Sequence, residues 1–138
     1  MRQRDAGSAT VEFVGLVIAM LVPLAYAIVA MAQLQSAVFA VEGAAQMAAR
    51  AYVQGSSDAM GRYAAARSAA IAGRNHGLII TMDNVSITCD AGNCLTPGAA
   101  VRVTVHTTAR IGVADFTRTM PLSASRTVVV DPYRAVPQ

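Results

Sequence analysis

The chain has one pair of cysteines, Cys89 and Cys94, separated by four residues. Gly92 and Asn93 lie between them, and both residue types favour the turn that a short disulfide loop needs. A redox motif normally has two residues between its cysteines, and a zinc site needs four ligands, so this pair fits neither. The spacing predicts a structural disulfide formed in an oxidising compartment, and the alternative is a pair of free thiols.

Residues that could support catalysis or metal binding do not cluster elsewhere in the sequence. His76 and His106 are the only histidines, and each stands alone. The sequence contains no metalloprotease, nucleophile-elbow or phosphate-loop motif. Its basic residues are dispersed arginines and its net charge is only +3, which argues against a nucleic-acid-binding patch. The sequence therefore predicts a protein that is not an enzyme, with no cofactor, no metal and no specific nucleic-acid partner.

Glu12 is the one carboxylate whose position needs an explanation. It immediately precedes an uncharged run from Phe13 to Val41 that is almost wholly apolar up to Ala32. An ionised side chain is costly inside a bilayer. Glu12 either lies at headgroup level, where the dipole of a helix N-terminus favours a carboxylate, or pairs with a positive charge created by cleavage of the chain after Gly7.

The apolar run is long enough to cross a membrane. A span needs about 20 apolar residues, and a buried helix of this length would exceed what a small domain can cover. A cleavable secretory signal has a shorter core and a small-x-small cleavage site, which this segment lacks. It is predicted to be a retained transmembrane helix over residues 8–34, in which Pro23 causes a mild kink. Arg2 and Arg4 precede it, which predicts a cytoplasmic N-terminus and an extracytoplasmic region after the span.

The helical pattern continues beyond the apolar run. Apolar residues recur every three or four positions, which predicts one helix over residues 10–53 with an amphipathic second half. Ser57 or Asp58 can cap a second, alanine-rich helix that ends near Arg74, before the turn-forming Gly77. The predicted apolar stripe of the first helix consists of Leu34, Val38, Val41, Ala45, Ala48 and Tyr52.

After residue 77 the periodicity changes to two, which is typical of strands with one buried face. β-branched residues dominate these segments, and their short connections indicate an antiparallel sheet of three or four strands. Turns or bulges are expected near Gly112 and Pro121. The predicted strands cover residues 85–88, 101–106, 116–120 and 123–130.

Together these elements predict an α+β protein. A long N-terminal transmembrane and amphipathic α-helix is followed by a second shorter helix and a small antiparallel β-sheet. The composition, 54% hydrophobic and 14% charged with a mean hydropathy of +0.44, excludes a disordered chain and argues against a plain soluble domain. The predicted organisation is a basic leader at 1–7, a transmembrane helix at 8–34, an extracytoplasmic helical region at 35–76, a β-domain at 77–131 and a flexible tail at 132–138.

The residues around Glu12 carry a family resemblance. A short basic leader that ends in Gly7 is followed by Ser-Ala-Thr-Val-Glu-Phe and then by a continuous apolar helix. This pattern resembles the type IV pilin signal, and more closely the TadE-like proteins, which are pilin-like subunits of the tight-adherence (Tad, Flp) pilus system. The match covers residues 7–34, and the segment at 122–125, Leu-Ser-Ala-Ser, is also similar. Ser8 departs from the aromatic first residue of classical type IV pilins, which favours the Tad type.

The resemblance implies cleavage by a prepilin peptidase on the cytoplasmic side, between Gly7 and Ser8. Glu12 would then be the acidic residue near the start of the mature chain. The major Flp pilin is usually much shorter and lacks a sizeable β-domain, so this chain is expected to be a minor pilin or pseudopilin-like subunit. Its expected role is the assembly or initiation of a pilus for surface adhesion, with a linked role in secretion or DNA uptake.

The implied partners are other pilins, pilus-assembly proteins of the inner membrane, the prepilin peptidase and the lipid bilayer. The expected location is the cytoplasmic membrane, crossed once, with incorporation into a surface pilus. The alternative is a membrane-anchored extracytoplasmic binding module that never enters a filament. In a filament, small residues would allow neighbouring helices to approach closely; the candidates are Gly15, Ala19, Ala40, Ala44 and Ala48.

Overall fold

The computed structural model describes residues 6–90 and 92–134. Within them it confirms the predicted α+β fold, with a long apolar N-terminal helix, a second shorter helix and a three-stranded antiparallel sheet of order β1-β2-β3. The elements are α1 (Ala6–Val53), α2 (Asp58–Arg74), a short 3-10 helix (Met82–Asn84), β1 (Val85–Cys89), β2 (Ala100–Val113) and β3 (Phe116–Val129).

Helix α1 has two halves with different surroundings. It contains 48 residues, which corresponds to about 72 Å at 1.5 Å per residue. It begins at Ala6, earlier than the predicted Thr10, and no proline lies between them to stop the helix. Pro23 lies inside the helix. The first half is exposed, whereas the second half lies against α2 and the sheet.

The hydrophobic core lies between the second half of α1, helix α2 and one face of the sheet. Alanines make up most of the α1 contribution, so the helix backbone can approach its neighbours closely. The predicted stripe is shifted at one position, because Val38 is 37% exposed and the neighbouring Ala37 is buried instead. The buried α1 residues are Ala37, Ala40, Val41, Ala44, Ala45, Ala48, Ala49 and Tyr52, and they share the core with Val101, Val103, Val105, Ala109 and Ile111 of β2.

A polar cluster joins the end of α1 to the start of α2. The buried Tyr52 donates a hydrogen bond to Asp58 at 2.5 Å, and Arg62 donates to the same carboxylate at 2.7 Å. Burial, followed by the bond to Asp58, raises the pKa of Tyr52 far above its ordinary value. The hydrogen bonds from Arg62 and Tyr52 lower the pKa of Asp58. Ser57 accepts from the Met60 amide, so it is the N-cap that the sequence offered as one of two choices.

Gly61 is required by the close contact between α1 and α2. A Cβ at this buried position would lie 2.8 Å from the Tyr52 carbonyl oxygen and 3.0 Å from its ring. Helix propensity alone would favour alanine over glycine by about 1 kcal/mol, but overpacking costs about 1–3 kcal/mol. Because a backbone oxygen cannot rotate away, we expect Gly61→Ala to destabilise the protein by about 1–2 kcal/mol.

Thermal and denaturant unfolding of the detergent-solubilised chain would measure this loss. Gly43→Ala is the matched control, because Gly43 lies in α1 and a Cβ there would meet no atom within 4 Å. That control should be stabilised by up to about 1 kcal/mol through helix propensity. Equal stability of the two variants would contradict the packing account of Gly61.

The sheet corrects one prediction of the strand analysis. Pro121 does not separate two strands; it lies within β3, opposite Thr108. Strand β3 is at the edge of the sheet, where a residue without an N–H group does not interrupt pairing on both sides. The turn expected near Gly112 is present. The φ of Gly112 is +129°, and a Cβ there would lie 2.1 Å from the Phe116 carbonyl oxygen. Glycine is therefore needed where β2 enters the hairpin turn.

Two connections fasten the ends of the β-domain. Cys89 and Cys94 form a disulfide, as predicted, with their Cα atoms 5.2 Å apart. Arg134 donates to the carbonyl oxygens of Val53, the last residue of α1, and of Gly55, two positions later. The last carbonyls of a helix have no acceptor role within it, so the arginine supplies a donor at this end. The predicted flexible tail is thus attached as far as Arg134, and residues 135–138 lie outside the described part.

Candidate functional site

The candidate site is the exposed half of α1, residues 9–29, which we call the apolar segment. Every residue in it is exposed, and its large apolar side chains range from 36% exposed at Val17 to 73% at Val11. Continuous apolar surface of this length is unfavourable in water, so it requires lipid or another protein surface around it. The helix that carries it is long and apolar enough to cross a membrane.

The apolar segment and the folded domain share one continuous helix. The backbone continues without interruption from the segment into the buried stripe of α1, which begins at Ala37. Ala30 and Leu34, near the end of the predicted transmembrane helix, already pack against the domain core. The segment therefore projects from the domain as a continuation of a core helix.

The predicted processing residues lie at the start of this helix. Gly7 and Ser8 belong to the first turn of α1, and Glu12 follows Ser8 by about one turn. Glu12 is exposed, and among the described residues it forms no ion pair within 4 Å. Residues 1–5, which include the two leader arginines, lie outside the described part of the chain. The arrangement leaves the Glu12 carboxylate available to a partner that is not one of the described side chains.

The small residues predicted to pack between subunits divide into two groups. Gly15 and Ala19 are exposed on the apolar segment, and a Cβ at Gly15 would meet no atom within 4 Å. Ala40, Ala44 and Ala48 are buried in the core at 4%, 0% and 0% exposure. These three alanines therefore belong to the hydrophobic core of the chain itself.

A contact that the sequence did not predict joins the sheet to the apolar segment. The end of the β2–β3 hairpin, residues 112–117, is called the hairpin tip below. The Gly112 amide donates to Gln33 Oε1 at 2.7 Å, and Tyr26 Oη donates to the Phe116 carbonyl oxygen at 2.6 Å. Tyr26 is the one tyrosine within the apolar segment, and that isolated hydroxyl was the only local signal of the contact.

A groove lies between α1, the turn after α2 and β2. Its volume is about 800 Å³, and its lining includes Ile28, Ser36, His76 and Ile79. Ser36 Oγ lies 3.3 Å from His76 Nδ1, and both His76 and His106 are exposed. Among the residues that the structure describes, no group of three His, Cys, Asp or Glu could hold a metal ion.

Neither a protein-family model, nor a curated protein, nor a solved structure matches this chain. The residues and geometry described above are therefore the basis of the functional proposal. The features that carry it are the exposed apolar segment, the pattern around Glu12 and the attachment of the segment to a folded α+β domain.

Proposed function

We propose that the protein is a minor pilin or pseudopilin-like subunit that takes part in the assembly or initiation of a Tad or type IV-like pilus. The observation that carries the proposal is the division of α1 into an exposed apolar half and a half that forms the core of an α+β domain. A subunit of this kind needs one helix that is stable in lipid and that can also pack among other helices, and a domain that stays outside. The role is structural and includes surface adhesion.

The mechanism follows from what the apolar segment can contact. In the cytoplasmic membrane its exposed side chains face lipid, and in a filament they would face the helices of other subunits. Transfer between the two surroundings requires little change in apolar burial, so specific polar and small residues must supply the preference for the filament. Gly15 and Ala19 offer close approach, and Glu12 offers a charge that can be paired. Arg2 and Arg4 keep the N-terminus on the cytoplasmic side and leave the domain outside.

The second candidate function is a membrane-anchored binding module that does not enter a filament. The groove beside His76 favours it, because Ile79 in its lining is 82% exposed and could contact a ligand. Both functions use the apolar segment as an anchor. They differ at the N-terminus, because only the pilin-like function requires a cut between Gly7 and Ser8.

The test is the N-terminal sequence and intact mass of the full-length protein, produced in cells that contain a prepilin peptidase and extracted from their membranes. We expect a mature chain that begins at Ser8. A chain that retains Met1 in those cells, while a known prepilin is cut, would contradict the pilin-like function and support the binding module. Expression in cells that lack the peptidase supplies the uncut reference mass.

A further inference from the structure

The hairpin tip contacts the apolar segment at a defined residue, Tyr26. Tyr26 donates its hydrogen bond to Phe116, so the tip lies beside a residue well within the apolar run and not at its end. The second bond, from Gly112 to Gln33, holds the tip against the helix over the next two turns, from Tyr26 to Gln33. The tip is therefore the part of the sheet that extends furthest toward the N-terminus of α1.

The position of Tyr26 sets where a membrane boundary can lie. A span needs about 20 residues, or 30 Å of helix. Counted back from Tyr26, such a span begins near Ala6, where α1 itself begins. A boundary at residue 34 instead would bring the turn of the hairpin, with the carboxylate of Asp115, into the hydrocarbon, which is unfavourable. The outer boundary is therefore best placed at Tyr26, a residue type that is enriched at membrane interfaces.

The surface of the tip matches such a boundary. Its two large apolar side chains remain exposed, Val113 at 46% and Phe116 at 76%. Arg110 and Arg118 follow them toward the domain and are also exposed. Because Arg118 pairs with Ile111, the two arginines lie on opposite faces of the hairpin. The tip thus carries apolar and aromatic side chains, and arginines lie next to them on the side of the domain. This composition is typical of a surface that enters a lipid interface.

We propose that the hairpin tip is a second membrane-contacting element, which inserts Phe116 and Val113 at the headgroup–acyl boundary of the outer leaflet. Arg110 and Arg118 would lie at the level of the lipid phosphates, to which guanidinium groups bind well. Asp115 stays at headgroup depth, so insertion is shallow. The inference rests on the proposed membrane insertion of α1. It adds that the domain is held against the membrane surface at a fixed height, with Tyr26 as the connection.

Tryptophan fluorescence tests this directly, because the natural chain contains no tryptophan. Three single variants of the full chain would be reconstituted into vesicles of phosphatidylethanolamine and phosphatidylglycerol. Phe116→Trp reports on the tip, and Leu21→Trp reports on the apolar segment. Val129→Trp is the matched control, because Val129 is a 59% exposed apolar residue at the opposite end of β3. All three positions are exposed, so each can accept the larger ring.

We expect Phe116→Trp and Leu21→Trp to show blue-shifted emission, protection from aqueous acrylamide and quenching by brominated lipid. Quenching of Phe116→Trp should be stronger with bromine near the headgroup than with bromine at mid-chain. Val129→Trp should remain accessible to acrylamide. If Leu21→Trp is quenched by lipid and Phe116→Trp behaves like Val129→Trp, the tip proposal is wrong while membrane insertion holds. If Leu21→Trp is not quenched by lipid, the membrane insertion itself is wrong.

Discussion

Gly7→Val is expected to abolish removal of the leader and to leave the uncut chain in the membrane. The resemblance to TadE-like proteins implies a peptidase site that requires a small residue before the cut. Gly7 also lies in the first turn of α1, so the peptidase must open helical backbone to reach the bond. Valine adds bulk at that point and restricts the backbone and its own side chain, which opposes both steps.

Intact mass of the membrane-extracted protein measures the effect, and the expected result is the full-length mass alone. Gly15→Val is the matched control, because it makes the same substitution in the same helix where an added Cβ meets nothing within 4 Å. That control should be cut normally. If Gly7→Val is processed to Ser8 as efficiently as Gly15→Val, the assignment of a prepilin-type cleavage site is wrong.

Local patterns in the sequence were sufficient for most of the elements. Helix α2 was predicted nearly to its ends, because Ser57 is a strong N-cap and Gly77, with a φ of +70°, follows the helix end. The alternation of β2 predicted its buried face, since the odd-numbered valines from Val101 to Val105 are buried. These signals depend on residues close together in the chain, so the sequence alone contains them.

The position of Pro121 shows what local patterns miss. Proline usually ends a strand, so the sequence predicted two short strands where the structure has one. Whether a missing N–H group matters depends on whether a second strand lies on that side. Strand order is a tertiary property, and β3 has a neighbour on one side only within the described residues.

The contacts that position the candidate site are also tertiary. Tyr26 and Phe116 are 90 residues apart, and Arg134 lies 81 residues from Val53. No local pattern indicates such partners, because tyrosine and arginine occur in many surroundings. The same limitation applied to Ala40, Ala44 and Ala48, whose small size fits a neighbouring subunit or the chain's own core equally well. Their observed burial places them in the core.

The position of Tyr26 bears on the two interpretations of Glu12, a carboxylate at headgroup level or one that pairs with a positive charge. Glu12 lies fourteen positions before Tyr26, which corresponds to about 21 Å of helix. If Tyr26 marks the outer boundary, as inferred above, a hydrocarbon core of about 30 Å places Glu12 some 9 Å inside the cytoplasmic boundary. At that depth the carboxylate lies below the headgroups, so an unpaired charge is unfavourable. Ser8, one turn earlier, lies closer to water, where a newly formed α-amino group is normally protonated.

Glu12→Gln is expected to remove surface pili while leaving insertion and cleavage intact. After cleavage the Ser8 amine and the Glu12 carboxylate lie about one turn apart on α1, so either can pair within the subunit or with its neighbour. Among apolar helices an unpaired buried charge costs several kcal/mol, and an ion pair relieves much of that cost. Glutamine keeps the shape of glutamate and removes its charge, so the amine at Ser8 would lose its partner in the filament.

Piliation of a strain that lacks this gene, complemented with each variant, measures the result by counting surface pili. Glu42→Gln is the matched control, because Glu42 lies in the same helix but is exposed on the folded domain, 3.7 Å from Arg126. An exposed pair of this kind contributes at most about 1 kcal/mol, so that strain should assemble pili normally. Normal piliation with Glu12→Gln would show that the pairing is not needed, because the amine would then be tolerated in the filament without its carboxylate.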